Sequence, residues 1–264
     1  MSGFAADWLA LREPHDLRAR NRVVLEAVVE AFADQPSINI ADLACGTGST
    51  LRALGPHLTA RQNWRRFDND LSRLARAANA PNATAGPLDL ALDLEGALDG
   101  PVDLVTTSAL LDLVSEDWLA RLTVEAAARR IPVYAALSYD GRVEFEPAHA
   151  MDRKIVTAVN AHQRRDKGFG PALGPKAAAV VVERFERVGY SVVHGAADWV
   201  FGAADREIQT EVLSGWAAAV RETGDLSLPD VMNWLTQRRD WVASGQSSIR
   251  VGHVDVFARP TDTR

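Results

Sequence analysis

The chain has 264 residues, 47% of them hydrophobic, with 29 lysines and arginines against 35 acidic residues and a net charge of −6. That length supports a sizeable α/β core. The acidic balance argues against nucleic acid or an anionic membrane as partner, since both need a basic face. With one cysteine, Cys45, no internal disulfide can form, and the N-terminal stretch lacks a basic segment followed by an apolar one, so a cytoplasmic location is expected.

In chain order, residues 16–33 place Val24, Ala27, Val28 and Ala31 at helical spacing and predict one amphipathic helix with Asp16 as its N-cap. Strand one follows at 38–43, then a glycine turn and a short helix over 49–54. Strand two is expected at 63–70, a helix at 70–80 stopped by Pro81, strand three at 86–94, and strand four at 102–114 running into a loop. A helix covers 116–130, strand five 131–139, and a charged, irregular stretch 140–174. A helix at 175–188, a strand near 190–201, two helical stretches within 203–243 and a last strand at 249–259 complete the chain.

Strands alternating with helices predict an α/β fold: a Rossmann-like, doubly wound, mostly parallel seven-stranded sheet with helices on both faces and helical cap insertions. The chain reads as one domain, with its ligand-binding half at 16–139 and caps at 140–174 and 203–246. Both caps follow strand ends, where open α/β sheets bind ligands.

The turn after strand one reads Asp42-Leu43-Ala44-Cys45-Gly46-Thr47-Gly48. Glycines at a strand-to-helix junction let backbone amides approach a ligand closely, and the helix beyond favours electron-rich groups. The dinucleotide spacing G-x-G-x-x-G lacks its third glycine here, and no Lys-Ser/Thr pair follows to make a phosphate loop. The stretch IADLACGTGSTL resembles motif I of the class I S-adenosylmethionine-dependent methyltransferases. Asp42, Gly46 and Gly48 fall on the motif's positions, and Ala44 stands where its first glycine belongs.

The resemblance spans the order of elements from residue 16 onward and is specific only in the first half. It implies methyl transfer with S-adenosyl-L-methionine as cofactor. Asp42 would then face the cofactor's ammonium, and Ala44, Cys45, Gly46 and Gly48 would line its sulfur-to-ribose segment. Asp68, with Asn69 beside it, would take the ribose hydroxyls; Asp70 is the alternative and would equally cap a helix starting at Leu71. Asp93 and Leu94 would hold the adenine, with Asp89 and Leu90 as a competing alignment. Cys45 reads as a small packing residue in that turn, not a nucleophile.

Beyond strand four stand Thr107, Ser108 and Asp112, at the position from which that family faces the transferring methyl. Methyl transfer by in-line displacement needs a positioned acceptor and a dry site, and a base only if the acceptor loses a proton. Ser108 is assigned to the cofactor. Asp112 is the candidate for orienting or deprotonating the acceptor, against a plain reading as a cap or loop acid. Ser115 reads as the cap of the next helix.

In AHQRRDKGFGPALG, residues 161–174, His162 is a second catalytic candidate, Arg164 and Arg165 are candidate cations for a carboxylate-bearing acceptor, and Phe169 sits between glycines in an expected mobile loop. A solvated helix end is the bland alternative. Trp8 and Trp199 are candidates to line an aromatic acceptor pocket, whereas Arg18 and Arg20 read as surface charge with the cofactor carboxylate as their other reach. The remaining histidines form no metal spacing, and no metal is expected. The expected activity is methyl transfer to a small molecule, away from membranes, with a homodimer or a monomer's lid equally open for the late helices. An RNA or protein acceptor, and a non-catalytic cofactor-binding relative, are the competing readings.

Overall fold

A computed structural model of the chain describes residues 6–77 and 81–261. Two helices, not one, precede the first strand: α1 (Ala6–Ala19) and α2 (Arg22–Ala31). Asn21 separates them. Its backbone is extended and its side chain accepts from the Val24 amide at 3.1 Å, which starts α2. Asp16, expected as the cap, is instead buried inside α1, accepting from Arg12 Nε at 2.9 Å and Trp199 Nε1 at 2.9 Å.

Strands β1 (Ser37–Leu43), β2 (Arg61–Asp68), β3 (Ala83–Pro87), β4 (Leu104–Ser108), β5 (Val133–Glu146), β6 (Tyr190–Ala196), β7 (Trp199–Phe201) and β8 (Ser248–Pro260) make one sheet. Its order is β3-β2-β1-β4-β5-β8-β6, with the short β7 pairing β8 as the eighth strand. Strands β1 to β5 are parallel, and β8 runs antiparallel between β5 and β6. The expected mostly parallel sheet is therefore present. A strand covered on both faces must be apolar on both, and β1 is: Ile38 and Ile40 enter one core, Ala41 and Leu43 the other.

Helix α2 and α3 (Ser49–Leu54) close the first of those cores. The second lies under α5 (Leu94–Ala97), α6 (Glu116–Arg129) and α8 (Ala177–Arg187). Helix α4 (Leu71–Arg76) follows β2; the expected continuation over 78–80 lies outside the described residues.

A third apolar cluster holds the cap: α7 (Asp152–His162), α9 (Arg206–Thr223) and α10 (Leu228–Ala243) pack around Phe145, Phe201 and Trp234. Arg238 pins it, wholly buried, donating to the Pro147 carbonyl at 2.8 Å, pairing with Asp152 and lying 4.2 Å over the Phe145 ring. The stretch 140–174, expected to be irregular, begins as the far half of β5 and then forms α7. Its strand character was hidden by Asp140, Arg142 and Glu144, which leave that half only partly buried. Trp8 and Leu11 of α1 pack onto the same cap. Among the described residues no helix is long and apolar enough to cross a membrane.

Strand order reverses between β1 and β4, so the carboxyl ends of these two neighbours open the crevice where sheets of this kind bind ligands.

Candidate functional site

The chain leaves β1 through a tight turn at that crevice. Cys45 N–H still bonds the Phe67 carbonyl at 2.9 Å, and Gly48 N–H closes the turn onto the Cys45 carbonyl at 2.8 Å. Ala44, Gly46 and Gly48 have φ of 52°, 54° and 85°. Gly46 and Gly48 adopt this left-handed backbone freely; Ala44 bears its steric cost. Space is short as well: a Cβ on Gly46 would stand 3.3 Å from Leu9 of α1, and one on Gly48 would stand 3.0 Å from Arg66 Nη1. Helix α1 thus rests on the turn. Arg52 ties the two together, donating to the Thr47 carbonyl at 2.8 Å and to Glu13 at 2.7 Å.

Asp42 lies beneath the turn with no exposure. Thr106 Oγ1 donates to its Oδ1 at 2.8 Å, while Oδ2 is buried without a partner. Burial pushes its carboxyl up to about 7, against the opposing pull of the Thr106 hydroxyl, Arg20, the Thr50 hydroxyl and Arg66. Both arginines are incompletely paired. Arg20 donates to Tyr134 Oη at 3.2 Å and Ser108 Oγ at 3.3 Å but leaves a buried Nε unused, and Arg66 leaves buried Nε and Nη1 unused. Arg20 is therefore not surface charge, whereas Arg18 is exposed and pairs with Asp205 at 3.3 Å. The sequence offered Arg20 a reach to a cofactor carboxylate but could not separate it from Arg18, because an arginine ending a helix is ordinarily surface charge. Arg66 left a signal: it falls on the buried period of β2 between Trp64 and Asp68.

Asp68 closes β2, 2% exposed. Its Oδ2 accepts from Gly46 N–H at 2.9 Å and its Oδ1 from Asp70 N–H at 2.9 Å, with Arg73 Nη1 at 3.5 Å. Each carboxylate oxygen carries a second lone pair, so this acid both shapes the turn and retains acceptor capacity. Asn69 is exposed beside it, and Asp70 caps α4 through the Ser72 and Arg73 amides. The Asp93 carboxylate caps α5 through Gly96 N–H at 2.9 Å, and Leu94 is buried in the core. The acid nearest the end of β3 is Asp89, exposed, accepting from Ala91 N–H at 2.9 Å.

Asp112 lies in the loop after β4, 5% exposed, with Oδ1 buried and unpartnered. Burial raises its carboxyl to about 6, opposed by its own amide, the Tyr139 amide and the charges of Arg12 and Lys167. The 161–174 segment divides sharply. Arg164 and Arg165 are exposed, Arg165 donating to the Glu222 carbonyl at 3.0 Å, and among the described residues neither forms an ion pair with Asp112. His162 Nε2 pairs with Glu222 at 3.0 Å, and its Nδ1 lies 3.3 Å from Lys167 Nζ. Lys167 is the cation of this segment whose charge acts on Asp112, after that of Arg12.

Phe169 is not a mobile tip. Its ring meets Trp118 edge-on at 5.6 Å and packs on the main core, while Asp166 holds the loop by accepting from Gly168 N–H at 2.6 Å and Gly170 N–H at 3.0 Å. Phe169→Ala is expected to lower unfolding stability by about 2–3 kcal/mol, the cost of emptying an aromatic site that is only part-buried. A denaturation midpoint unchanged from wild type would return Phe169 to the role of a ligand-binding loop residue.

No protein-family model matches the chain, and no curated protein matches it. Solved structures do. The YcgJ protein from Bacillus subtilis is 11% identical, with a TM-score of 0.51 over 92% of this chain and 100% of that one. A cyclopropane-fatty-acyl-phospholipid synthase-like protein from Lactobacillus casei is 13% identical, with a TM-score of 0.51 over 95% and 92% of the two chains. At these identities the likeness is one of fold.

Proposed function

We propose that this chain, which has the fold of the class I S-adenosylmethionine-dependent methyltransferases, transfers a methyl group from S-adenosylmethionine to a small-molecule acceptor. One observation carries the reading. Beside the glycine turn, a buried carboxylate oxygen of Asp42 and a buried Nε of Arg20 both lack partners. Native proteins seldom leave such atoms orphaned. An ammonium and a carboxylate on one carbon, the amino-acid end of S-adenosylmethionine, would satisfy the two together.

Bound there, the cofactor supplies an electrophilic methyl on a sulfonium. Ala44, Cys45, Gly46 and Gly48 offer backbone to its middle, Ser108 and Arg20 hold its carboxylate, Asp68 accepts from its ribose, and Asp89 serves the adenine amine. Leu9 and the rest of α1 keep water from the turn. Asp112 receives the acceptor, with Lys167 close by and His162 steadying Lys167. A net charge of −6 supports a small acceptor over nucleic acid.

Calorimetric titration with S-adenosylmethionine and S-adenosylhomocysteine tests this. Both should bind the wild type, and Asp68→Ala should weaken binding by about 1–3 kcal/mol through lost and unpaired hydrogen bonds. No binding of either ligand to protein shown to be folded would reject the reading.

A further inference from the structure

A polar row crosses the sheet beneath the glycine turn; the inference drawn from it rests on the methyltransferase reading. In register, Asp42 of β1 lies opposite Arg66 of β2 on one side and Thr106 of β4 on the other. Partners in parallel strands point to the same face, so the three side chains stand in line. Thr106 has reached Asp42, donating to it at 2.8 Å. Arg66 has not. Among the described residues it forms no ion pair within 4.0 Å, and the acid two residues along its own strand, Asp68, takes Arg73 at 3.5 Å. Arg66 is nevertheless only 3% exposed, with Nε and Nη1 buried and unpartnered.

The turn explains where its guanidinium goes. Nη1 lies 3.0 Å from the point where a Gly48 side chain would begin. Gly48 therefore serves twice, by its left-handed φ of 85° and by leaving room for Arg66. The Arg52 guanidinium comes within 3.4 Å of the same point, but Arg52 is bound to Glu13. Arg66 is thus a buried cation without a counter-charge, one strand over from a buried acid with an open oxygen.

Four groups act on Asp42 from the elements around it: Thr106 from β4, Arg20 from the end of α1, Thr50 from α3 and Arg66 from β2. Two are neutral hydroxyls. The nearby Cys45 thiol and Tyr134 phenol, both pushed up by burial, stay neutral as well. Arg20 is already shared, because its charge acts on Asp255 and would be offset by the carboxylate of a bound cofactor. Of the two cations, Arg66 is the one left to Asp42. A buried carboxyl without a neighbouring cation stays protonated, and a protonated acid gives an ammonium no counter-charge. We propose that Arg66 is a positioning residue for the cofactor: from beneath Gly48 its guanidinium holds Asp42 as a carboxylate for the ammonium, and so sets the pH above which S-adenosylmethionine binds fully.

Arg66→Met and Arg66→Lys test this. Methionine removes the charge and relieves a buried, unpaired cation, so the variant should fold; lysine keeps the charge. In the ligand-free protein the Asp42 side-chain carbon is followed by NMR through a pH titration, its signal assigned by its loss in Asp42→Asn. The midpoint, about 7 in wild type, should rise by about one pH unit in Arg66→Met and stay near the wild-type value in Arg66→Lys. By calorimetry, Arg66→Met should bind S-adenosylhomocysteine about tenfold more weakly than wild type at about pH 6 and within about twofold of it at about pH 8.5. A residue that merely propped the turn would lose affinity equally at both pH values. Such a uniform loss, or an Asp42 midpoint unmoved in Arg66→Met, would overturn the proposal. A wild type that binds no S-adenosylhomocysteine would reject the cofactor reading alone, because titration of the empty protein judges the hold of Arg66 on Asp42 by itself.

Discussion

Asp255→Ala is expected to cost about 3–5 kcal/mol of unfolding stability, the range for stripping one partner from a buried charged network. Asp255 sits on β8 with no exposure, and its two oxygens serve two distant backbone amides: Leu137 N–H at 2.7 Å and Asn21 N–H at 2.9 Å. Leu137 has a φ of 56°, left-handed for a bulky residue, at a register shift between β5 and β8. Asn21 is the residue that divides α1 from α2. Alanine leaves both amides unpaired and takes a carboxylate away from Arg20, whose charge acts on Asp255. Asp255→Asn should cost less, because one amide oxygen still accepts. Urea denaturation of the three proteins checks this, and a loss below about 1 kcal/mol for alanine would show that the bulge and the helix junction hold without the acid. Cofactor affinity should fall too, since Arg20 adjoins Asn21.

That acid illustrates which parts of the molecule could be read in advance. The alternation of strands and helices, and with it the mostly parallel sheet, follows from local patterns, namely apolar strands covered on both faces, helices of regular period, and a glycine turn whose chemistry is confined to a few consecutive residues; the strand order comes from the fold. Asp42, Gly46, Gly48 and Asp68 could be picked out as candidates for that reason, the acids closing β1 and β2 and the glycines lying in the turn after β1. Asp255 was not. It lies in an apolar strand with nothing nearby to mark it, and its partners are 118 and 234 residues away. Lys167 and Arg20 share the difficulty, because only folding decides which cation of a charged run turns inward. Period reading also merged α1 with α2, since helical spacing does not register a two-residue interruption, and it lost α7 among charges on its outer face. Asp93 has a local role that the sequence reading passed over: as an acid before a short helix it caps α5 through the Gly96 amide.

The affinity for S-adenosylhomocysteine should rise steeply with pH, by about tenfold per unit from about pH 5 until it levels near pH 7. The cause is Asp42. Its carboxyl titrates near 7 in the folded protein, against 3.8 when unperturbed, because burial disfavours the charge. An ammonium seated on its orphan oxygen favours that charge, so binding must expel a proton wherever Asp42 is protonated beforehand. Calorimetry in two buffers of different ionisation heat should count up to one proton released near pH 6 and almost none near pH 8. The same shift has a cost for the ligand-free protein, with a definite sign. Between the unfolded and folded values the folded state binds more protons, so stability falls as pH rises from about 4 to about 7, by an amount on the order of 4 kcal/mol. Asp42→Asn should therefore stabilise the empty protein at pH 8, leave it nearly unchanged at pH 4, and abolish the pH dependence of binding together with most of the affinity. If affinity is instead flat across this range while binding persists, the ammonium does not rest on Asp42. A carboxylate kept buried and half-satisfied is a burden on the empty fold, and relief of that burden on binding is the physical reason for a ligand's charged end to sit beneath the glycine turn.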